Sequence, residues 1–483
     1  MGHKTWAHTY LGPMSQHLAV KLHRIAERTV RQGHPWVFEK SIDKLNREGR
    51  AGDLAMVFGR SDNKLFAIGL YDPVSPVRIK VIHHGGPTPI DAAFFHERIR
   101  TALHLREPLL TQGPLVPRET LGETGGDASS GSRGVDASSG SRGVDAPSGS
   151  RGVGAPSVSR EAGASSGSRA AEDAPSGSRE ADPEERPTTA YRLLFGENDG
   201  FPGLIADVYD NVAVLKLYSA IWFPWLELIV PQVVAVAEVD AVVLRLSRHL
   251  QQEHTPRKEG DILHGELLDP EVRFQEYGVR FQANVLLGHK TGFFLDHRAN
   301  RHRIGQLAKG KAVLDVFSYA GGFSVHALAG GATEVTSVDA SRQALELAVR
   351  NATLNPHEGK HLILDGDAFG ILEGMVAQDK QYDIVVIDPP SFAKSEKEMA
   401  GALRKYAVLA VLGARLTRRG GLLVLASCSS RITADEFMQV HRTAFGQAGV
   451  RYTLEDFTQH DIDHPVRFPE GAYLKTAYYR MAE

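Results

Sequence analysis

The sequence predicts an α/β protein in three parts: a small β-barrel, a middle α+β domain and a C-terminal parallel sheet wrapped by helices. Three observations predict it. From Gly288 onward, apolar strands alternate with helices at the spacing of βαβ units. Residues 18–84 carry short β segments (VKLHR, HPWVFEK, DLAMVFG, LFAIGLYD, PVRIKVIHH) divided by Gly, Asp and Pro turns, the pattern of a small barrel or sandwich. Between them an amphipathic helix over Phe94 to Leu105 and an α+β pattern resuming at Tyr191 flank a repeat that no core can use. The expected boundaries are 18–92 for the barrel, 93–285 for the middle domain and 286–483 for the parallel sheet.

The chain's 483 residues, 42% hydrophobic and 23% charged, are enough for two or three domains that each bury a core. Its one Cys excludes an internal disulfide and any multi-thiolate metal site, so no metal centre is expected and the thiol points to a reducing, cytoplasmic compartment. No basic-then-apolar leader opens the sequence, and the most apolar stretch, Ile221 to Ala237, is interrupted by Pro224, Glu227 and Pro231; no membrane association is expected. A net charge of −3 means that any nucleic-acid contact must come from a local patch. Residues 1–50 supply one, with 9 Lys or Arg against 4 Asp or Glu.

From Gly122 to Pro187 there is no aromatic residue and no Leu, Ile or Met. Units such as DASSGSR end on Arg133, Arg142, Arg151, Arg160, Arg169 and Arg179. Solenoid repeats need apolar positions to stack, and these have none, so residues 122–187 read as a disordered insertion in the middle domain.

In the parallel-sheet region, Lys311 to Phe317 is an apolar strand that leads through Ser318-Tyr319-Ala320-Gly321-Gly322 into a helix. A strand-end acid, here Asp315, followed by a glycine turn lets the backbone approach a ligand, and the next helix presents its free N–H groups. The turn lacks both the G-x-G-x-x-G spacing of dinucleotide sites and the Lys-Ser or Lys-Thr of a P-loop. The next strand ends in Asp339, placed to accept both hydroxyls of a ribose. A third leads to Asp367, suited to an adenine amino group. A single strand-end Asp is ordinarily a turn or helix cap. Three on successive strands fit an adenosine ligand without phosphates, of which S-adenosyl-L-methionine is the common case.

A fourth apolar strand, from Tyr382, ends in Asp388-Pro389-Pro390-Ser391-Phe392, where two prolines stiffen the turn. A fifth, Gly421 to Ser427, delivers Cys428 to the same edge. If these strands are neighbours, about 4.8 Å apart, Asp388 and Cys428 can flank one planar base. A lone Cys is ordinarily a small buried hydrophobe. At a strand end, a thiolate attacking carbon 6 of a pyrimidine makes carbon 5 nucleophilic toward a sulfonium methyl group, and Asp388 can hydrogen-bond nitrogen 3. No residue is identified for removing the carbon-5 proton.

Five segments then carry a resemblance: GHKTGFFLDHRANR (Gly288 to Arg301), DVFSYAGGFS (Asp315 to Ser324), DPPSFAKS (Asp388 to Ser395), SCS (Ser427 to Ser429) and DHPVRFPEGAYLK (Asp463 to Lys475). With RQGHPWVF (Arg31 to Phe38), the chain resembles the RlmI-type ribosomal large-subunit RNA cytosine-5 methyltransferases, within the class I S-adenosylmethionine-dependent superfamily. The resemblance covers nearly the whole chain apart from the repeat. It implies a Rossmann-like methyltransferase domain, an N-terminal PUA-like RNA-binding barrel, and large-subunit ribosomal RNA as partner, with a homodimer left open. It also implies cofactor contacts at Asp315, Phe317, Tyr319, Gly321, Asp339 and Asp367, Cys428 as nucleophile and Asp388 beside the base. RNA contacts are expected at Arg31, Trp36, Lys290, Arg298 and Arg301. Two other functions remain: an N-methyltransferase acting on an exocyclic amine of guanine, which needs no cysteine, and a non-catalytic RNA-binding scaffold.

Overall fold

The computed structural model describes residues 17–111, 187–393 and 395–483. The predicted disordered insertion therefore lies outside the described residues, except for its last position. The N-terminal strands β1 (Leu18–Leu22), β2 (Trp36–Phe38), β3 (Ile42–Leu45), β4 (Leu54–Phe58), β5 (Leu65–Tyr71) and β6 (Val77–His84) form one sheet in the order β2-β6-β5-β4-β1-β3. Two elements were missing from the sequence reading. The short strand β3 pairs with β1, and helix α1 (Arg24–Arg31) buries only Val30.

Helix α2 (Ala92–His104) starts on Asp91, whose side chain accepts from Phe94 N, and a short α3 (Glu107–Thr111) follows. Strands β7 (Ala190–Phe195), β8 (Leu204–Tyr209), β9 (Val212–Leu217), β10 (Ala241–Leu246) and β11 (Ile262–His264) form a second sheet, with α4 (Leu226–Ala237) packed on α2. The segment Ala220–Ala237 is long and apolar enough to cross a bilayer by length and composition alone. Here Ile221, Trp222, Trp225, Ile229 and Val233 are buried, and the two indoles donate to Pro202 O and Gly52 O. The Trp225 bond reaches the first sheet's loops, and Leu54, Ile68 and Leu70 pack in the same cluster as Trp222, so the first two sheets share one core.

The very short helix α5 (Arg248–Gln251) follows β10, and after β11 the hairpin β12 (Glu271–Glu276) and β13 (Val279–Asn284) precedes α6 (Arg298–Leu307). The third sheet holds β14 (Ala312–Val316), β15 (Glu334–Asp339), β16 (Lys360–Asp365), β17 (Tyr382–Ile387), β18 (Thr417–Ser427), β19 (Tyr452–Thr458) and β20 (Lys475–Met481). Its order is β16-β15-β14-β17-β18-β20-β19, with β20 antiparallel to both neighbours. Helices α7 (Gly322–Ala329), α8 (Arg342–Thr353), α9 (Ala368–Ala377), α10 (Met399–Leu416) and α11 (Ala434–Gln447) connect the parallel strands and cover the faces. Covering both faces is what turns β14 and β17 into near-continuous apolar runs. The chain leaves β14 in one direction to build β15 and β16, then returns to its other side for β17, which opens a crevice at the carboxyl edge between β14 and β17.

The last loop, 459–474, is pinned by a buried ionic cluster. Asp463 accepts from Arg298 Nη2 at 2.6 Å, His464 Nδ1 at 2.8 Å and the Arg192 amide at 2.9 Å, and its own carbonyl accepts from Arg106. Arg106 pairs with Asp199 at 2.6 Å and Arg192 with Asp207 at 2.7 Å. Burial opposes the Asp463 charge, but Arg298 and His464 outweigh it and hold the carboxyl well below its usual range. Breaking such a pair strands a buried charge, so Asp463→Asn is expected to destabilise the protein by about 3–5 kcal/mol. Chemical denaturation of the variant beside wild type checks this; an unchanged midpoint contradicts it.

Candidate active site

Strands β17 and β18 are neighbours, paired in parallel from Ile384↔Leu422 to Ile387↔Leu425, so Asp388 and Cys428 emerge side by side at the carboxyl edge. Both are half-buried. The Cys428 Sγ lies 3.8 Å from Pro389 O, the carbonyl of the residue after Asp388. Burial first, then the Asp388 charge, push the thiol up to about 12.

Behind Asp388 stands a residue the sequence reading quoted but did not use. His297, just before α6, is buried with Nε2 3.4 Å from Asp388 Oδ1. Burial disfavours the imidazolium, yet Asp388 and then Asp296 outweigh it and hold His297 above its usual value, against the charge of Arg301. Asn300 Nδ2 lies 3.0 Å from His297 Nδ1, and Asn300 also meets the hydroxyls of Thr476, Thr458 and Tyr478. Hydroxyls donate or accept, so this amide can present nitrogen to a bare Nδ1 or oxygen to a protonated one. Phe323 covers the remaining side of the imidazole, 5.6 Å away.

Three more groups complete this edge. Asp296 is buried and accepts from Tyr473 OH at 2.8 Å. Burial raises its carboxyl, but Lys290, His297 and His464 outweigh that and keep it well below the usual range. Lys475 sits opposite Ser427 in the β18–β20 pair and donates to Ser429 O and Ile432 O, both at 2.5 Å. Burial lowers its ammonium to about 8, against the pull of Cys428. All four residues lie inside quoted motifs; their partners are distant in sequence, which hid the roles.

The adenosine expectations fall on the other side of the crevice. After β14 the loop takes left-handed backbone at Phe317, Tyr319 and Gly321. Gly321 is required there twice over, since a Cβ would come within 2.6 Å of Ala348 Cβ on α8. Asp339 is half-buried at the end of β15 and accepts from Tyr319 N at 2.9 Å and Ser341 N at 2.8 Å. Asp367 is exposed and caps α9, accepting from Gly370 N. Phe317, Phe369 and Phe392 come from three successive loops and helices, with Phe392 6.4 and 6.3 Å from the other two. The buried hydroxyls of Ser318 and Ser429 have no hydrogen-bond partner among the described residues. A carboxylate at a strand end, an aromatic wall and a buried hydroxyl left open fit an adenosine ligand.

Some expected contacts need correction. Asp315 is 1% exposed; its Oδ2 accepts from Ser324 N and Oγ, and burial raises its carboxyl to about 7. Its carboxylate ties the end of β14 to the first turn of α7. Arg298 and Arg301, expected to touch RNA, are 0% and 3% exposed. Arg298 is spent on Asp463, and Arg301 on Glu276 at 2.5 Å, because a buried guanidinium requires carboxylates. Arg31 is exposed but paired with Glu27 and stacked 4.0 Å over Phe66. Trp36 is half-buried, its Nε1 donating to Glu197 and its ring edge-on to Phe468 at 5.2 Å. Lys290 remains exposed, its ammonium 4.2 Å over Phe294.

With its thiol held up, free Cys428 is expected to react slowly with iodoacetamide around neutral pH and to accelerate only in strongly alkaline solution. Asp388→Asn removes the second cause of the shift and moves the rate profile to lower pH. An Asp388→Asn profile that overlays wild type contradicts this electrostatic coupling.

Comparisons with known proteins agree with this geometry. The S-adenosylmethionine-dependent methyltransferase family profile matches residues 192–463, and a PUA-like domain profile matches 20–84. The ribosomal RNA large subunit methyltransferase of Deinococcus radiodurans is 38% identical over 467 residues, covering 96% of this chain and 97% of the relative. The ribosomal RNA large subunit methyltransferase I of Alteromonas mediterranea is 30% identical over 452 residues, 93% of this chain and 95% of the relative. Two solved structures, a putative methyltransferase complexed with SAH and a putative SAM-dependent methyltransferase from Streptococcus mutans, each superpose with a TM-score of 0.68. They share 19% and 18% identity with this chain, covering 96% of it and 99% of each solved chain, and so match in fold. The six-stranded N-terminal sheet, the β16-β15-β14-β17 crevice and these matches together mean that the chain belongs to the S-adenosylmethionine-dependent methyltransferases with a PUA-like domain, the RlmI-type family of ribosomal large-subunit methyltransferases.

Proposed function

We propose that this methyltransferase transfers a methyl group to carbon 5 of a cytosine in large-subunit ribosomal RNA, through a covalent bond to Cys428. The observation that carries the reading is the emergence of Cys428 and Asp388 from paired strands at the edge where the family's cofactor domain opens. The ribosomal substrate is supported by the names of the full-length relatives.

S-adenosylmethionine, when bound, supplies the electrophilic sulfonium methyl. In the proposed arrangement Asp339 accepts the ribose hydroxyls, Asp367 the adenine amino group, and Phe317, Tyr319 and the Gly321 turn form the wall beside them. Asp315 supports that turn through Ser324.

Lys475, its ammonium lowered to about 8 by burial, can in its neutral form take the thiol proton, a transfer that is uphill from a thiol near 12 and is drawn forward by bond formation to carbon 6. Sγ then bonds to carbon 6, and the electron pair of the 5,6 double bond moves to carbon 5. His297 passes its Nε2 proton to Asp388 Oδ1, and Asp388 donates to nitrogen 3, neutralising the charge that builds on the ring. Carbon 5 takes the methyl group. The carbon-5 proton then leaves to solvent and the Sγ–carbon 6 bond breaks to restore the double bond, while Asp296, whose proton affinity is held low, stays ionised.

The exocyclic-amine reading needs no thiol, and nothing at this edge favours it over the cytosine reading. Cys428→Ala is expected to abolish methyl transfer while leaving cofactor affinity and melting near wild type. Nucleoside mass analysis of the treated ribosomal RNA should give 5-methylcytidine; turnover by Cys428→Ala with methyl on an amino nitrogen overturns the reading.

A second expectation concerns the proton on the His297–Asp388 pair. Because His297 is held above its usual value, that proton is kept to higher pH than on a free imidazole and is lost as pH rises through the raised value. The turnover rate should therefore fall on the alkaline side. His297→Gln can still donate to Asp388 but cannot titrate, so it should slow turnover by about a hundredfold and lose that alkaline limb. A slowed variant with an unchanged pH profile would assign His297 to structure alone.

A further inference from the structure

A groove of about 780 Å³ lies away from the crevice, between the first sheet, α2 and the last loop. Phe94 and Arg98 of α2 line it with Gly200, Arg467 and Phe468. Its carboxylates are already engaged. Asp91 caps α2, Asp199 takes Arg106, Glu197 takes the Trp36 indole and Glu97 takes Arg100.

Its two arginines are in the opposite condition. Arg98 donates to the carbonyls of Ile82 and Gly200 and stacks 4.4 Å from the Phe94 ring centre, with no ion pair to a carboxylate among the described residues. Arg467 is exposed, its backbone amide donates to Asn198 Oδ1 at 2.8 Å, and its guanidinium has no ion pair among the described residues. Burial and then the charge of Arg467 lower Arg98 to about 10, and the opposing charge of Asp199 does not cancel them. Two guanidiniums that repel each other over a groove are relieved by an anion placed between them. The wall is also aromatic: Phe468 meets Trp36 at 5.2 Å and His34 at 6.1 Å. Charge flanked by rings is the chemistry that holds a single nucleic-acid strand.

The same loop ties the groove to the reaction. Arg467 and Phe468 lie at its groove end, and Tyr473 leads directly into Lys475 beside Cys428. We propose that the groove binds the phosphodiester backbone of single-stranded RNA flanking the target nucleotide, with Arg98 and Arg467 on its phosphates. This rests on the RNA reading above but not on which atom is methylated.

The test uses the full chain and in vitro transcribed large-subunit ribosomal RNA, with binding measured across a salt series. Arg467→Ala is expected to weaken binding about tenfold, alike for target and unrelated single strands, and to lower the slope of log affinity against log salt by about one. Arg467→Glu should weaken it further, while cofactor affinity and melting stay at wild type. Unchanged affinity and slope in both variants overturn the proposal. Competition by adenosine monophosphate as effective, per phosphate, as by single-stranded RNA also overturns it, by making the groove a free-nucleotide site. So does a loss confined to assembled ribosomal subunits with naked RNA unaffected, which would assign the groove to a protein. If the slope falls while wild type methylates no ribosomal RNA, the groove stands and the proposed substrate fails.

Discussion

The ion pair between Asp463 and Arg298 is the constraint on which the rest of the site depends. Neither side chain is exposed, so each charge must be satisfied from inside, and the chain does so with His464, the Arg192 amide and Asp461. Taking charges out of water costs several kcal/mol per ion, so the arrangement persists only with every partner in place. Its geometric consequence is specific. Arg298 is the first residue of α6 and follows Asp296 and His297 directly, while Asp463 lies in the loop that leads through Tyr473 to Lys475 at the start of β20. One ion pair thus holds both halves of the reactive edge, and Arg106 and Arg192 extend the hold to the second sheet.

The electrostatics of that edge are arranged around proton movement. Cys428 is kept as a thiol by burial and by Asp388, whereas Lys475 is brought toward neutrality by burial. Burial drives the two apart and inverts their usual order, so the proton stays on sulfur in the free protein, and the thiolate forms only when a bound substrate draws Sγ into a bond. His297 and Asp388 form the second such pair, 3.4 Å apart, aimed at the same space. Asp296 stays ionised through Lys290, which also acts on Cys428, so the exposed lysine of the GHKTGFF segment influences the site by charge across a distance.

Much of this was legible in the sequence because it is local. The runs AVLDV, EVTSVD and YDIVVI are strands because they are apolar and short, and glycine or proline turns follow them. Asp388 and Cys428 were placed correctly at one edge by strand alternation alone. What could not be read depends on contacts between distant segments. Arg298 and Arg301 sit in RANRHR, which looks like a solvated helix face; Asp463 lies 165 residues beyond one, and Glu276 lies 25 before the other. Asp315 reads as a ligand contact because it ends an apolar strand, but Ser324 pulls it under the loop. The antiparallel β20, which brings Lys475 to Cys428, carries no short-range signal that it would insert beside β18.

The central claim is a covalent bond from Cys428 to carbon 6 of a cytosine, and the most direct measurement is the mass of a trapped complex. Ribosomal RNA carrying 5-fluorocytosine cannot lose fluorine as a proton in the elimination step, so the reaction should stop with protein and RNA joined. After nuclease digestion, peptide mass spectrometry is expected to find one methylated fluorocytidine attached at Cys428, and Cys428→Ser should yield none. A methylated product released without any adduct, or an adduct on another residue, would contradict the account.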